Sequence, residues 1–171
     1  MRWVALSGYM GAGKSVVGRR VAARLDVPFI GSDRAVGEHA GMSIPEIFDK
    51  RGEVWFRRTE EDVIRGILQG DGRGVMALGG GALLSQRTRA LLGRMAWTVW
   101  LRVDPEVAWD RVEGSDRPLA VDRRRFLSRA AQREPVYAES ADLEVASDDP
   151  ADEVAGRVVA WVQARDAADS E

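Results

Sequence analysis

Apolar residues fall along this chain in short buried-strand runs separated by stretches of helical periodicity. Residues 2–7, with Trp3, Val4, Ala5 and Leu6, form the first such run. It is followed by "KSVVGRRVAARL" (14–25), where Val16, Val17, Val21 and Leu25 recur at helical spacing and most arginines fall on the other face. Four further runs read as strands: "VPFI" (27–30), "GVMAL" (74–78), "WTVWLRV" (97–103) and "LEVA" (143–146). Helical patterns fill the intervals. In "SIPE", Ser43 with Glu46 three residues on spells a capping box, and a last helix is expected from near Pro150 through Val158 and Trp161. Strands alternating with helices predict an α/β fold, a mostly parallel sheet covered on both faces. Ligands of such sheets bind beyond the carboxyl ends of the strands.

Composition narrows the class. The 171 residues suit one domain, and no repeat, linker or low-complexity stretch divides them. Lys and Arg number 25 against 27 Asp and Glu, a net charge of −2, which gives no bulk attraction to nucleic acid or to a membrane. There is no cysteine, so disulfides and thiolate metal sites are excluded. Neither a signal peptide nor an apolar span is apparent, and a soluble cytoplasmic protein is expected.

The chemistry begins directly after the first strand, in "GYMGAGKS" (8–15). It fits G-x-x-x-x-G-K-S, a phosphate-binding loop, through Gly8, Gly13, Lys14 and Ser15. Glycines let the backbone wrap so that amides face phosphate oxygens, and the next helix adds its positive N-terminus. Lys14 reaches the β- and γ-phosphates, and the Ser15 hydroxyl is the expected Mg²⁺ ligand. Contacts to ATP are expected from Gly11, Ala12, Gly13, Lys14, Ser15 and Val16.

Candidates for the acceptor side follow the other strands. Asp33 in "GSDRAV" can hold or deprotonate a hydroxyl. Gly79 to Gly81 in "LGGGA" offer bare backbone to a ligand. Arg57 and Arg58 stand beside Trp55 and Phe56, and Arg117 and Arg133 lie in "DRPLA" and "AQREPVYAE". His39, Trp97, Trp100 and the run Arg123 to Arg125 read as surface or packing residues, and Trp55 as either packing or a substrate contact.

The order of these blocks resembles shikimate kinase, a P-loop kinase of the nucleoside-monophosphate-kinase type. The resemblance runs through "GYMGAGKSVVGRRVA", "FIGSDRAV", "GMSIPEIFDKRGEVWFRRTEE", "LGGGA", "RPL" and "REPVYAE", nearly the whole chain. It implies a three-layer P-loop kinase fold with a five-stranded parallel sheet of order 2-3-1-4-5. It also implies a substrate-binding region near 31–65 and a lid near 112–124; the tail 166–171 is expected to fray, and the protein is expected to be a monomer. Shikimate would be phosphorylated on its 3-hydroxyl by ATP with Mg²⁺, in aromatic amino-acid biosynthesis. Asp33 would bind the acceptor hydroxyl as the base or its assistant. Arg57 and Arg133 would clamp the carboxylate, Gly80 backbone would contact hydroxyls, and Arg117 in the lid would close over the ATP phosphates. A shikimate analogue, a sugar acid such as gluconate, or a catalytically silent nucleotide-binding role are the other readings.

Three positions depart from the family pattern. Gly31 stands where relatives carry the first Asp of D-x-D, which helps hold the Mg²⁺ hydration shell. Ser32 beside it would point to the other side of an extended segment. The basic residue near the adenine appears as Arg111, one residue short in its spacing to Arg117. "SDDP" (147–150) is acidic where relatives often carry an arginine.

Overall fold

The computed structural model describes residues 2–115, 120 and 122–169. Its strands are β1 (Trp3–Ser7), β2 (Phe29–Gly31), β3 (Val75–Ala77), β4 (Ala96–Arg102) and β5 (Leu143–Ala146). All pairings are parallel, in the order β2-β3-β1-β4-β5. The central strand β1 sets the register, with Val4 beside Val75 and Trp97.

Alternation along the strands sorts side chains to two faces. Val4, Leu6, Trp97, Val99 and Leu101 go to one core with Val17, Val21, Val154 and Val158. These last residues come from α1 (Lys14–Leu25) and α8 (Ala151–Ala168), which cover that face. Trp3, Ala5, Met76 and Trp100 go to the other core. It is covered by α4 (Gly52–Gln69), α5 (Gln86–Met95), α6 (Pro105–Val112) and α7 (Arg123–Ser140). The result is the three-layer arrangement expected from the chain's alternation. A smaller cluster of Val36, Ile47 and Phe56 holds α2 (Ser32–Ala40) and α3 (Ile44–Lys50) onto α4.

Local signals held where they were strong. The Ser43 and Glu46 box is formed, each satisfying the other's backbone N–H. Trp97 and Trp100 are buried, Trp97 edge-on to Trp161 and Trp100 tilted on Tyr137. His39 is exposed in the last turn of α2, and Arg123 to Arg125 are exposed in the first turn of α7.

Three boundaries differ from expectation. Strand β2 starts at Phe29, because the Val27 N–H closes the end of α1 on the Ala22 carbonyl and Pro28 has no N–H to give. Ser32 is not in an extended segment. It opens α2 and is fully buried. Helix α8 continues through Ala168, so residues 166–168 of the tail that was expected to fray are helical. Its buried Val154, Val158 and Val162 keep it docked up to the last turns, and Asp169 N–H bonds the Arg165 carbonyl.

Leu101 is fully buried in β4, on the α1–α8 face. Leu101→Ala should lower unfolding stability by about 2–5 kcal/mol, read by urea denaturation, through lost burial plus the cavity left behind.

Candidate active site

The carboxyl ends of β1, β2 and β3 open into one cleft of about 920 Å³. Lys14, Ser15 and Val16 line it from α1, Gly31 and Asp33 from the β2–α2 junction, Arg57 from α4, Gly80 and Gly81 from the segment after β3, Arg111 from α6 and Arg133 from α7. Nucleotide-side and acceptor-side candidates therefore face a common space. Arg117 lies outside the described residues, as do 116, 118, 119 and 121 of the expected lid; the described residues there are 112–115, Ala120 and 122–124.

The phosphate loop has the shape its glycines allow. Gly11 has φ +82°, and a Cβ there would sit 2.5 Å from the Ala108 carbonyl oxygen, so both conformation and space demand glycine. Gly13, with φ 81°, precedes α1 as its N-cap and leaves the first amides without a side-chain acceptor. Lys14 Nζ donates to the Gly8 and Tyr9 carbonyls at 2.7 and 2.8 Å, folded back along the loop. The Ala12 side chain is buried in the α1–α8 core, so this residue offers only backbone. Arg111 is placed on the loop itself: its Nη1 donates to the Gly11 carbonyl at 3.0 Å, and the guanidinium also reaches the Ser147 carbonyl.

The acceptor side is built around residues 79–81. A Cβ on Gly79 would collide with Glu60 Oε1 and Asp33 Oδ1, and one on Gly81 would lie 2.5 Å from Arg57 Cζ. A side chain at either position would push these charged groups off the backbone they pack on. The Gly79 N–H donates to Ser32 Oγ at 2.8 Å, which explains the buried serine. The Gly80 carbonyl accepts from Arg133 Nη1 at 3.1 Å and from Tyr137 Oη. Arg133 also lies over the Tyr9 ring, 5.5 Å from its centroid.

Arg57 is held by its own helix. Its Nη1 donates to Glu60 Oε2 at 2.7 Å, and Glu53 is 3.4 Å from Nη2. Both partners lie within one turn on α4. Neither Glu60 nor Tyr137 stood out in the sequence as a site residue. Their spacing was the available signal: Glu60 three residues after Arg57, Tyr137 four after Arg133. Arg58 is exposed and Trp55 packs beside the Val36, Ile47 and Phe56 cluster, so neither lines the cleft.

Glu60 is only 1% exposed, and burial pushes its carboxyl up to about 7. The Arg57 cation opposes that shift, and the Asp33 carboxylate adds to it. Glu60 Oε1 and Arg57 Nε are buried without a hydrogen-bond partner among the described residues. An ionised Glu60 thus has a full partner on one oxygen only.

A carboxyl whose folded pKa is raised stabilises fully below its unfolded pKa, near 4.5, and loses that contribution as pH rises through about 7. Glu60→Gln cannot titrate. The stability of the wild type relative to Glu60→Gln should therefore fall between pH 4.5 and 8, measured by urea unfolding across that range. A flat difference would mean that the Arg57 pair cancels the cost of burial.

Comparison with known proteins agrees with this geometry. The family model for shikimate kinase matches residues 10–163. A shikimate kinase of Bradyrhizobium diazoefficiens is 43% identical over 168 residues, 95% of this chain and 80% of its own. One of Nitrobacter winogradskyi is 48% identical over 152 residues, 86% of this chain and 70% of its own. Among solved structures, shikimate kinase from Acinetobacter baumannii in complex with shikimate superposes with a TM-score of 0.91 at 29% identity, covering 96% of this chain and 94% of that one. The enzyme from Aquifex aeolicus gives 0.81 at 26% identity, with 95% and 96% covered. On these grounds the chain belongs to the shikimate kinase family.

Proposed function

We propose that this chain transfers the γ-phosphoryl group of ATP to the 3-hydroxyl of shikimate, giving shikimate 3-phosphate and ADP, as a step of aromatic amino-acid biosynthesis. The observation that carries the reading is the meeting of Asp33, Arg57 and Arg133 with the phosphate loop in one cleft. Two guanidinium groups suit a small carboxylate, which they can grip as planar forks, and they remain charged at any working pH.

Phosphoryl transfer asks mainly for positioning and for neutralisation of charge on the transferring group. The loop amides and the α1 N-terminus take the ATP phosphates, and Lys14 leaves its loop carbonyls to reach the β- and γ-oxygens. Arg57 and Arg133 hold the carboxylate, which fixes the ring. Asp33 accepts the hydroxyl proton as that oxygen attacks the γ-phosphorus, and the bond to the β–γ bridging oxygen breaks to release ADP. Arg117 is assigned to cover the phosphates.

The donor set suits Mg²⁺. Ser15 offers a hard oxygen at the loop and lines the cleft. Mg²⁺ is commonly held in this way, by few protein ligands together with substrate phosphates and water. When bound it would neutralise phosphate charge. No helix among the described residues is long and apolar enough to cross a membrane. A cytoplasmic monomer, built as one domain, completes the proposal.

The test is ADP release from purified protein with Mg²⁺-ATP and shikimate, with gluconate and no acceptor as controls. Shikimate-dependent release is expected. Release only with gluconate, or none, would overturn the acceptor.

Two variants refine the reading. Asp33→Asn should lower kcat by on the order of 10²-fold or more while ATP binding is retained, the scale of lost general-base assistance; wild-type turnover would remove Asp33 from that role. Gly31 has an ordinary φ of −96°, and a Cβ there would meet only Arg34 Cβ, at 3.8 Å. Gly31→Asp is thus sterically free, and it should lower the Mg²⁺ concentration for half-maximal rate about tenfold, the scale of an outer carboxylate on a metal site. No change would make that carboxylate irrelevant in this chain.

A further inference from the structure

Arg133 and Tyr137 lie one turn apart on α7 and take hold of the same atom, the Gly80 carbonyl oxygen. A carbonyl oxygen has two lone pairs and accommodates both donors. Tyr137 is buried, its ring tilted on Trp100 with centroids 6.2 Å apart. Burial pushes its phenol far up, so the hydroxyl remains a donor at every working pH. No peptide among the described residues is cis, so the Gly81 N–H points opposite to the Gly80 carbonyl. Gly80 and Gly81 both line the cleft, and the Gly81 N–H has no acceptor among the described residues.

This double engagement bears on what Arg133 can do. One Nη1 N–H goes to Gly80, and a two-pronged grip on a carboxylate that draws on Nη1 would compete with that bond. If Arg133 turned to an acceptor with no other donor present, the part-buried Gly80 carbonyl would lose its side-chain partner, and the peptide would lose its anchor. Tyr137 removes that conflict.

We propose that Tyr137 is a positioning residue for the acceptor. It keeps the Gly80 carbonyl bonded and the Gly80–Gly81 peptide fixed while Arg133 is released to bind the acceptor carboxylate. This rests on the shikimate reading given above. In the free protein the Tyr137 hydroxyl is redundant, because Arg133 still serves Gly80; in the complex it is the remaining donor.

Tyr137→Phe tests this, since it keeps the ring against Trp100 and removes only the hydroxyl. The melting temperature should stay close to wild type. The KM for shikimate should rise about tenfold, the scale of one part-buried carbonyl losing its partner. The KM for ATP and kcat at saturating shikimate should change less than about twofold, the pattern of lost acceptor binding alone. Backbone ¹⁵N relaxation should find the Gly80 and Gly81 amides rigid in both proteins when free, and with shikimate bound mobile only in the variant. An unchanged shikimate KM, or parallel losses in shikimate KM, ATP KM and melting temperature, would overturn the proposal and leave Tyr137 a packing residue. If the wild type itself releases no ADP with shikimate, the acceptor reading fails separately. The relaxation measurement with cyclohexene-1-carboxylate as probe then decides: mobility confined to the variant supports the positioning role, and identical dynamics overturn it.

Discussion

The acceptor end of this protein depends on charged side chains packing against bare backbone at residues 79–81. Asp33 and Glu60 press on Gly79, Arg57 presses on Gly81, and Arg133 with Tyr137 holds the Gly80 carbonyl. Any Cβ at Gly79 or Gly81 would displace the groups that the site needs in place. Three glycines in sequence would ordinarily make a loose loop, through the entropy glycine adds to the unfolded chain. Here Ser32 fixes the Gly79 N–H, and Arg133 with Tyr137 fixes the Gly80 carbonyl, so the loop is held by hydrogen bonds from outside it.

The electrostatics of the cleft follow from the same packing. Lys14, Arg57 and Arg133 face a space where two anions, the ATP phosphates and an acceptor carboxylate, must meet. Concentrating cations attracts both ligands, but it requires a device to keep the free protein satisfied. Each cation has one within its own structure: Lys14 folds onto loop carbonyls, Arg57 onto Glu60, and Arg133 onto Gly80. In the proposed reaction these interim partners would keep the side chains close to the positions they work from, which limits the ordering cost of binding.

Glu60 shows what such a partner costs. A carboxyl buried to 1% exposure, with one oxygen unpartnered, resists ionisation, and its pKa of about 7 expresses that resistance. An apolar residue would fill the space at lower cost, since buried ion pairs seldom add net stability. What Glu60 supplies is a fixed direction for Arg57, set by the short spacing between them on one helix face. Site residues often depart from what stability alone would select.

Much of this protein was determined by sequence-local features. Strand alternation and helix periodicity give the layers, Ser43 with Glu46 gives a helix start, and "GYMGAGKS" gives the phosphate loop with Lys14 and Ser15, because each depends on neighbours within a few residues. The order of the acceptor blocks carried the resemblance that named Asp33, Arg57, Gly80 and Arg133. Tertiary structure decided the rest. That Ser32 would turn inward to Gly79 and that Tyr137 would share the Gly80 carbonyl with Arg133 join segments 47 or more residues apart, and the burial of Glu60 behind Arg57 depends on how α4 docks. Arg111 likewise reaches a loop 100 residues upstream while still lining the cleft. Spacing along a chain reports what lies on one face of an element, but which backbone that face meets is fixed only when the layers pack.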